Sequence, residues 1–349
     1  MNNRPYTTTK ERIPGAFVRT FFNGSARPVL LRYLSTVLKD FFFLQFAVKF
    51  GFKKIRIVSV DHPLDTTVPF VPDKVSVYLD FVAFWIRPLV YIGRRSGRAV
   101  QLDYTKQFLG LVDLSYRRAA EVYRFRMSTT ERPKYYRGNF LTIHLFDPHY
   151  LCVPSLHVMV VVLAYTFYRK AFAELGYSAE EQDALNRELF AGAVEITETV
   201  LYIKQHSVNC IPAALYSMTH ILNEETMGAH ALKPEDLVHF IDQLFHNSEL
   251  VRPTEAAAIR TYICDLFEHF LLEGCHDTAW TGGRTHSGAP CARQLRLLST
   301  ARGGRTHSGA PCAWQLRLLS AGNKKSERPI IGSFAFFVTP GYSDAFLRL

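Results

Sequence analysis

Two histidines in this chain lie in settings that suit the binding of a phosphate group. His157 ends the motif Val-Pro-Ser-Leu-His and leads directly into the apolar stretch 158–164. His206 ends the motif Tyr-Ile-Lys-Gln-His about fifty residues later, which is enough for one helix out, a loop and one helix back. We therefore expect both imidazoles at one end of an antiparallel helix pair, beside a hydroxyl and a lysine.

The composition narrows the classes of partner that such a site would serve. The chain has 349 residues, of which 48% are hydrophobic, and its mean hydropathy is −0.01. Its net charge of +10 favours an anionic lipid surface, a phosphorylated substrate or nucleic acid. Since no RNA-binding or DNA-binding motif is visible, we expect a phospholipid substrate and a membrane as partners, and no nucleic acid.

The cysteines do not indicate a metal centre or a disulfide framework. All six lie far apart, without a C-x-x-C pair, so we predict neither a metal nor a cofactor. The first ten residues have no apolar core and no small-residue cleavage site, which argues against a secretory signal. Insertion into a membrane would then depend on internal spans.

The apolar segments predict an all-α protein, a multi-span membrane bundle of about six helices. The segments are 30–52, 75–93, 99–116, 157–172, 189–203 and 207–222. Most of them contain charged residues, and one charge at mid-span costs about 2.5–3.5 kcal/mol. Such helices insert only if the bundle hides the charges, as Asp80 and Arg87 can do by pairing along one helix face. A soluble all-helical protein is the alternative.

Composition divides the chain into five parts. They are a disordered basic N-terminus (1–27), a transmembrane domain (28–222), an amphipathic helical extension (223–277), a low-complexity insert (278–325) and a tail without a readable motif (326–349). The insert holds two nearly identical copies of one unit, too few for a solenoid. We therefore expect it to be disordered and basic.

Three short motifs follow one another along the chain. They are Arg132-Pro133, the Pro-Ser-Leu-His motif that ends at His157, and the stretch from Thr199 to His206. Together they resemble the type 2 phosphatidic acid phosphatase superfamily, which includes lipid phosphate phosphatases and vanadium haloperoxidases. That superfamily carries Lys-x6-Arg-Pro, Pro-Ser-Gly-His and Ser-Arg-x5-His-x3-Asp in this order. The Ile-Lys-Gln-His sequence is similar to its bacterial membrane branch, and the resemblance covers residues 60–222.

The resemblance implies a site for a phosphomonoester. Arg132 would clamp phosphate oxygens with its planar guanidinium, and Ser155 would help to cradle the anion where a helix begins. His157 would be the general acid that protonates the leaving alcohol. His206 would be the nucleophile that forms a phosphohistidine, which water then hydrolyses. The phosphate-binding set would be completed by Thr199, Lys204 and Arg126.

Three positions depart from the pattern of that superfamily. The lysine of the first motif falls on Phe125, and the arginine of the third motif falls on Val200. The aspartate that orients the nucleophilic histidine is replaced by Cys210. An orienting aspartate is worth about 10⁴ in rate in the serine-protease triad. Glu195 and Glu198 are the acids that would have to replace it.

The sequence therefore predicts a membrane phosphatase that hydrolyses a phosphomonoester of a lipid similar to phosphatidic acid. Two alternatives stay open: a phospholipid head-group transferase of the same fold, and a membrane protein whose catalysis is impaired by Cys210. The basic turn 94–98 is typical of the cytoplasmic side of a span. We therefore expect a multi-pass protein of the cell (inner) membrane whose active site faces the non-cytoplasmic side.

Overall fold

The computed structural model describes residues 6–273. The predicted insert (278–325) and the predicted tail (326–349) lie outside these residues. Within them the chain is mostly helical, which confirms the all-α prediction. The short strands β1 (Ile57–Ser59) and β2 (Met127–Thr129) pair in parallel.

The α-helices follow one another along the described part of the chain. They are α1 (Pro14–Phe22), α2 (Arg27–Thr36), α3 (Leu44–Lys49), α4 (Val75–Ser96), α5 (Arg98–Phe125), α6 (Asn139–Phe146), α7 (Leu156–Glu174), α8 (Ala179–Tyr202), α9 (Cys210–Ile221), α10 (Glu224–Met227), α11 (Pro234–Gln243) and α12 (Pro253–Glu273). A π-helical segment, Val37–Phe43, joins α2 to α3.

Helix α7 lies at the centre of the bundle. The consecutive residues Val160, Val161, Val162 and Leu163 are each at most 1% exposed. Four buried neighbours in a row cover the whole circumference of a helix. Helix α7 packs against α4, α5, α8 and α9. Its first turn, which holds His157, is therefore fixed by the helices around it.

The six predicted apolar segments are all helical, but one boundary differs substantially. Helix α8 begins at Ala179, well before Leu189, where the predicted segment 189–203 starts. The hydroxyl of Ser178 accepts the amide of Glu181 at 3.2 Å and caps the helix. Acidic residues in the first turn also interact favourably with the helix dipole. The helix therefore starts in the acidic stretch that precedes its apolar segment.

From residue 6 onward the N-terminal segment lies against the bundle, although the sequence predicted disorder for residues 1–27. Helix α1 begins at Pro14, a residue suited to a first turn. The amide of Thr8 donates to the carboxylate of Glu188 at 2.9 Å. Glu11 pairs with Arg94 at 2.7 Å. These contacts with α8 and α4 hold the segment in place.

Charged residues inside the long helices are paired within the bundle. Arg87 donates two hydrogen bonds of 2.6 Å to Asp80, as the spacing predicted. The side chain of Asp113 in α5 is fully buried, and its carboxylate lies 3.0 Å from Arg32 and 3.1 Å from Arg117. A buried carboxylate needs such partners, because an unpaired charge is strongly destabilising.

The predicted C-terminal extension packs against the bundle through α12. Helix α12 contacts α9 and α11, and its residues Ile259 and Ile263 are fully buried. The hydroxyl of Tyr262 donates to the side chain of Asn209 at 2.5 Å. Its ring stacks on His62 with centroids 4.0 Å apart. Since Asn209 lies just after His206 in the chain, α12 supports the loop that carries this histidine.

Two helical stretches are long and apolar enough to cross a membrane. They are Pro72–Ser96 and Leu156–Glu174. Both qualify by length and composition. The remaining helices of residues 6–273 do not reach the same combination of length, hydropathy and low charge.

The small parallel sheet brings three distant segments together. The amide of Ser128 in β2 donates to the carbonyl of Tyr150 at 3.0 Å, and the amide of Cys152 donates back to the carbonyl of Ser128 at 3.2 Å. The amide of Val153 donates to the Ser128 hydroxyl at 2.8 Å. The segment before α7 is thereby fixed beside β2, which Arg132 follows.

Candidate active site

His206 is placed by the way helix α8 ends. The amide of Gln205 donates to the carbonyl of Val200 at 3.0 Å, and the amide of Lys204 donates to the carbonyl of Leu201 at 3.1 Å. This pair of bonds forms a Schellman motif. Lys204 has a φ of 56°, in the left-handed region, where a side chain costs about 1–2 kcal/mol. The turn places His206 in the interior with 8% of its surface exposed.

The side chain of Lys204, which the sequence predicted as a phosphate ligand, contacts two backbone carbonyls beside this turn. Its ammonium donates to the carbonyl oxygens of Asp65 and Val68. The carboxylate of Asp65 in turn accepts the amide of Val208 at 2.8 Å. The segment 63–68 therefore contacts the chain on both sides of His206, through Lys204 before it and Val208 after it.

His157 lies in the first turn of α7. Ser155 caps this helix, since its hydroxyl accepts an amide of the first turn at 3.4 Å. The amide of Ser155 donates to the carbonyl of Cys210 at 3.4 Å, which joins the second and third motifs. The imidazole of His157 lies against the rings of Tyr78 and Phe81 in α4, with centroids 4.5 and 4.7 Å away.

The two imidazoles meet at this end of the bundle. The ring centroids of His157 and His206 are 5.6 Å apart, and the rings are inclined by 65°. Nδ1 of His206 lies 3.1 Å from the carbonyl oxygen of Cys152. Since a carbonyl oxygen can only accept, Nδ1 carries the proton and Nε2 keeps its lone pair. Both rings are within reach of one phosphate group, and His206 offers a nucleophilic nitrogen.

Comparison with known proteins assigns no family to this arrangement. No protein-family model, curated protein or solved structure matches the chain. Function has to be inferred from the side chains themselves and from the contacts that bring the three motifs together.

Arg132 approaches the histidine pair through Gln205. Its Nη1 lies 3.3 Å from Oε1 of Gln205, and its Nη2 donates to the backbone carbonyl of Asp147 at 3.0 Å. The carboxylate of Asp147 lies 3.9 Å from the guanidinium, and the side chain of Arg132 is 14% exposed. A cation that is largely removed from water, with its carboxylate partner at this distance, is suited to attract an anion.

Burial and neighbouring histidines keep His206 neutral. Burial lowers the pKa of His206 well below its usual value, and the imidazoles of His157 and His149 add to the effect. Burial would raise the pKa of Asp147. Hydrogen bonding with His149 and the charges of His149 and Arg132 outweigh it and lower the pKa to about 2. The site thus combines a neutral, nucleophilic imidazole with an ionised carboxylate that steadies the guanidinium.

Thr199 and Arg126, which the sequence predicted as phosphate ligands, lie in other kinds of surroundings. Thr199 is fully buried near the end of α8, and its hydroxyl has no hydrogen-bond partner within residues 6–273. The guanidinium of Arg126 lies over the exposed ring of Phe125, 5.8 Å from its centroid. Phosphate binding by these two residues stays a prediction.

The orienting partner of His206 is neither Cys210 nor one of the two candidate acids. Sγ of Cys210 accepts a backbone amide at 3.3 Å. Glu195 pairs with the lysine that precedes α4, at 3.5 Å, and Glu198 accepts a backbone amide beyond α11 at 2.6 Å. The carbonyl of Cys152 takes this role instead.

Sequence reasoning missed several residues that the structure brings to the site. His149, in the loop between α6 and α7, is only 5% exposed, and its Nε2 lies 2.9 Å from the hydroxyl of Thr130. The sequence Asp-Pro-His just before the second motif is the local signal that could have drawn attention to Asp147 and His149. Among the described residues, no three histidine, cysteine or acidic side chains are grouped as a metal ion requires.

We expect the folded protein to lose stability as the pH falls below about 6.5, the pKa of an unfolded histidine. His206 and His149 both have a lowered pKa in the folded chain. The unfolded chain therefore binds protons that the folded chain does not. Each of these histidines reduces the free energy of unfolding by about 1.4 kcal/mol per pH unit until its folded-state pKa is reached.

Melting temperatures of the detergent-solubilised chain, recorded from neutral pH to about pH 5, measure this effect. The His206→Gln variant should show a shallower fall in melting temperature than the native chain. An identical pH dependence in both proteins would contradict a neutral, buried His206.

Proposed function

We propose that the chain is a membrane phosphatase that hydrolyses a phosphomonoester of a lipid, similar to phosphatidic acid, through a phosphohistidine at His206. The proposal is carried by the 5.6 Å separation of the His157 and His206 rings. The hydrogen bond from His206 Nδ1 to the Cys152 carbonyl supports it, because it leaves Nε2 free to attack. Nucleophilic and acid–base catalysis both need groups placed in this way.

In the first step, Nε2 of His206 forms a bond to phosphorus, and the bond between phosphorus and the ester oxygen breaks. His157 gives a proton to the departing oxygen, which leaves as the alcohol of a diacylglycerol. The buried imidazoles accept positive charge only when the negative phosphate lies beside them. Protonation of the acid is thereby coupled to the presence of substrate.

In the second step, a water molecule attacks the phosphohistidine. Its oxygen forms a bond to phosphorus, its proton passes to His157, and the bond between phosphorus and Nε2 breaks. His157 thus acts as acid in one step and as base in the next. His206 returns to the neutral form, which its surroundings favour.

The charge of the transferring phosphoryl group is stabilised by Arg132 and by the start of helix α7. The amides of Leu156 and His157 are the first of the helix and have no carbonyl partner within it. They and the positive end of the helix dipole favour an anion. Stabilising charge on the equatorial oxygens is the main requirement of phosphoryl transfer.

A lipid substrate is consistent with the two candidate spans. Helix α7 is about 30 Å long, close to the thickness of a bilayer core. His157 lies in its first turn, and this end of a membrane-spanning helix would lie at the level of the lipid head groups. The basic pair Arg94 and Arg95 ends α4, while Tyr78 and Phe81 near its start contact His157. We place the basic turn in the cytoplasm and the site on the non-cytoplasmic side of the cell (inner) membrane.

A direct test compares two phosphomonoesters with the same head group. The full chain in mixed micelles is given phosphatidic acid or glycerol 3-phosphate, and released inorganic phosphate is measured. The proposal expects a higher kcat/KM for phosphatidic acid. Equal values would contradict the lipid as substrate, and no release from either ester would contradict the phosphatase.

The Cys210 substitution favours one second candidate, a phosphate-binding membrane protein with impaired catalysis. The Cys152 carbonyl fixes the tautomer of His206, but it carries no charge to stabilise the imidazolium that forms on the pathway. We expect Cys210→Asp to raise kcat about tenfold. An orienting aspartate contributes roughly 10⁴-fold in the serine-protease triad by fixing the tautomer and by supplying a negative charge, and only the charge is missing here.

Cys210→Ser is the matched control for this change, since it alters the thiol without adding charge. Phosphate release from phosphatidic acid by this variant should equal that of the native chain. If Cys210→Asp gives no increase while its melting temperature is unchanged, the missing charge does not limit the enzyme.

A further inference from the structure

The side-chain amide of Gln205 is buried in the candidate active site with part of its hydrogen-bonding capacity unused. The residue is 2% exposed, and its Oε1 accepts from Arg132 at 3.3 Å. Its Nε2 has no hydrogen-bond partner within residues 6–273. Because a guanidinium can only donate, the oxygen of the amide must face Arg132, which fixes the orientation of the group.

A buried donor without a partner is uncommon and costs about 1–3 kcal/mol. Gln205 directly precedes His206 in the chain. The Oε1 of its side-chain amide contacts Arg132, and its Nε2 has no partner among the described residues. A ligand that satisfies it has to be an acceptor and has to tolerate Arg132 as a neighbour. An oxygen of a phosphate group meets both conditions, whereas a cation fails both and a neutral group that can only donate fails the first.

Gln45 shows that the unsatisfied amide alone would not be sufficient. It is also fully buried, and its Nε2 has no partner within the described part of the chain. Its Oε1 accepts the backbone amide of Tyr150 at 3.0 Å. The contact with Arg132 and the position next to His206 are what distinguish Gln205.

We propose that Gln205 is a phosphate-binding residue, whose Nε2 donates to an oxygen of the bound phosphate while its Oε1 holds the Arg132 guanidinium in place. This inference rests on the proposed function for the identity of the ligand and adds a binding group to it. The ammonium of Lys204 already donates to the carbonyls of Asp65 and Val68, whereas Nε2 of Gln205 still has a hydrogen bond to give.

Titration calorimetry with inorganic phosphate tests the proposal on the full chain in detergent. Gln205→Met removes both polar atoms, and we expect its Kd for phosphate to rise about 10- to 100-fold, the range for hydrogen bonds to charged groups. Gln205→Glu retains an oxygen for Arg132, so it preserves the fold, but it replaces the donor by a negative charge. Its phosphate binding should be lost.

Gln45→Met is the matched control, because it removes a buried amide with the same unsatisfied nitrogen. Its melting temperature is expected to change, but its Kd for phosphate should stay within about twofold of the native value. If either Gln205 variant binds phosphate as tightly as the native chain, the proposal is overturned.

The outcome also separates this inference from the proposed function. Weakened phosphate binding in the Gln205 variants, together with no phosphate release from phosphatidic acid by the native chain, supports the binding residue and contradicts the phosphatase. Unchanged phosphate binding in the Gln205 variants, together with hydrolysis of phosphatidic acid by the native chain, supports the phosphatase and contradicts Gln205 as a binding residue. No phosphate binding by the native chain would overturn this inference, whereas the release of phosphate from phosphatidic acid decides the proposed function.

Discussion

The His206→Ala variant is expected to release no phosphate from phosphatidic acid above background, a loss of at least about 10⁴-fold in kcat. Alanine has no lone pair to form the bond to phosphorus, so the covalent route is closed. Arg132 and the start of α7 remain, so the variant should still bind the substrate. The measurement is the initial rate of phosphate release in mixed micelles.

Two further variants make this result specific. His206→Gln can still donate to the Cys152 carbonyl, which preserves the buried contact, and it should be as inactive as the alanine variant. His246→Ala changes an exposed histidine beyond α11 and should retain the native rate. Phosphate release by His206→Ala at a tenth of the native rate or more would exclude this residue as the nucleophile.

The second large effect is expected at His157. With phosphatidic acid, whose leaving group is an alkoxide, His157→Ala should reduce kcat by about 10²–10⁴-fold. With 4-nitrophenyl phosphate the leaving group needs no proton, so phosphorylation of His206 should continue. The second step still lacks its base, so the variant should release nitrophenolate in one rapid burst of about one equivalent per chain and then stall.

Stopped-flow absorbance of nitrophenolate records this burst, with the native chain as the reference for steady turnover. The melting temperature of the variant controls for the loss of packing against Tyr78 and Phe81. If His157→Ala loses activity toward both substrates to the same degree and shows no burst, His157 is a structural residue.

The helices were readable from the sequence because apolar periodicity reports which face of a segment is buried. Helix α7, surrounded by protein, has an apolar stretch that could be assigned from composition alone. The start of α8 was missed because the cap formed by Ser178 depends on local hydrogen bonds that periodicity does not record. The contacts of Thr8 and Glu11 with distant helices were equally invisible, since they join residues far apart in the chain.

At the site, spacing and motif were enough to predict that His157 and His206 converge. The group that orients His206 could not be predicted from the sequence. It is the backbone carbonyl of Cys152, and every residue type has a backbone carbonyl. The contacts of Lys204 could not be predicted for a related reason, and phosphate binding by this residue stays a prediction. A lysine in a phosphate motif suggests a phosphate ligand, but its left-handed backbone and the carbonyls of segment 63–68 give it a structural part.

The covalent intermediate gives the most direct test of the account. The full chain in detergent is mixed with phosphatidic acid labelled in its phosphate, quenched at alkaline pH where phosphohistidine survives, digested and sequenced by mass spectrometry. We predict label on His206 in the native chain and none in His206→Ala. Phosphate release by the native chain with no labelled histidine, or with label on a residue other than His206, would contradict the proposed mechanism.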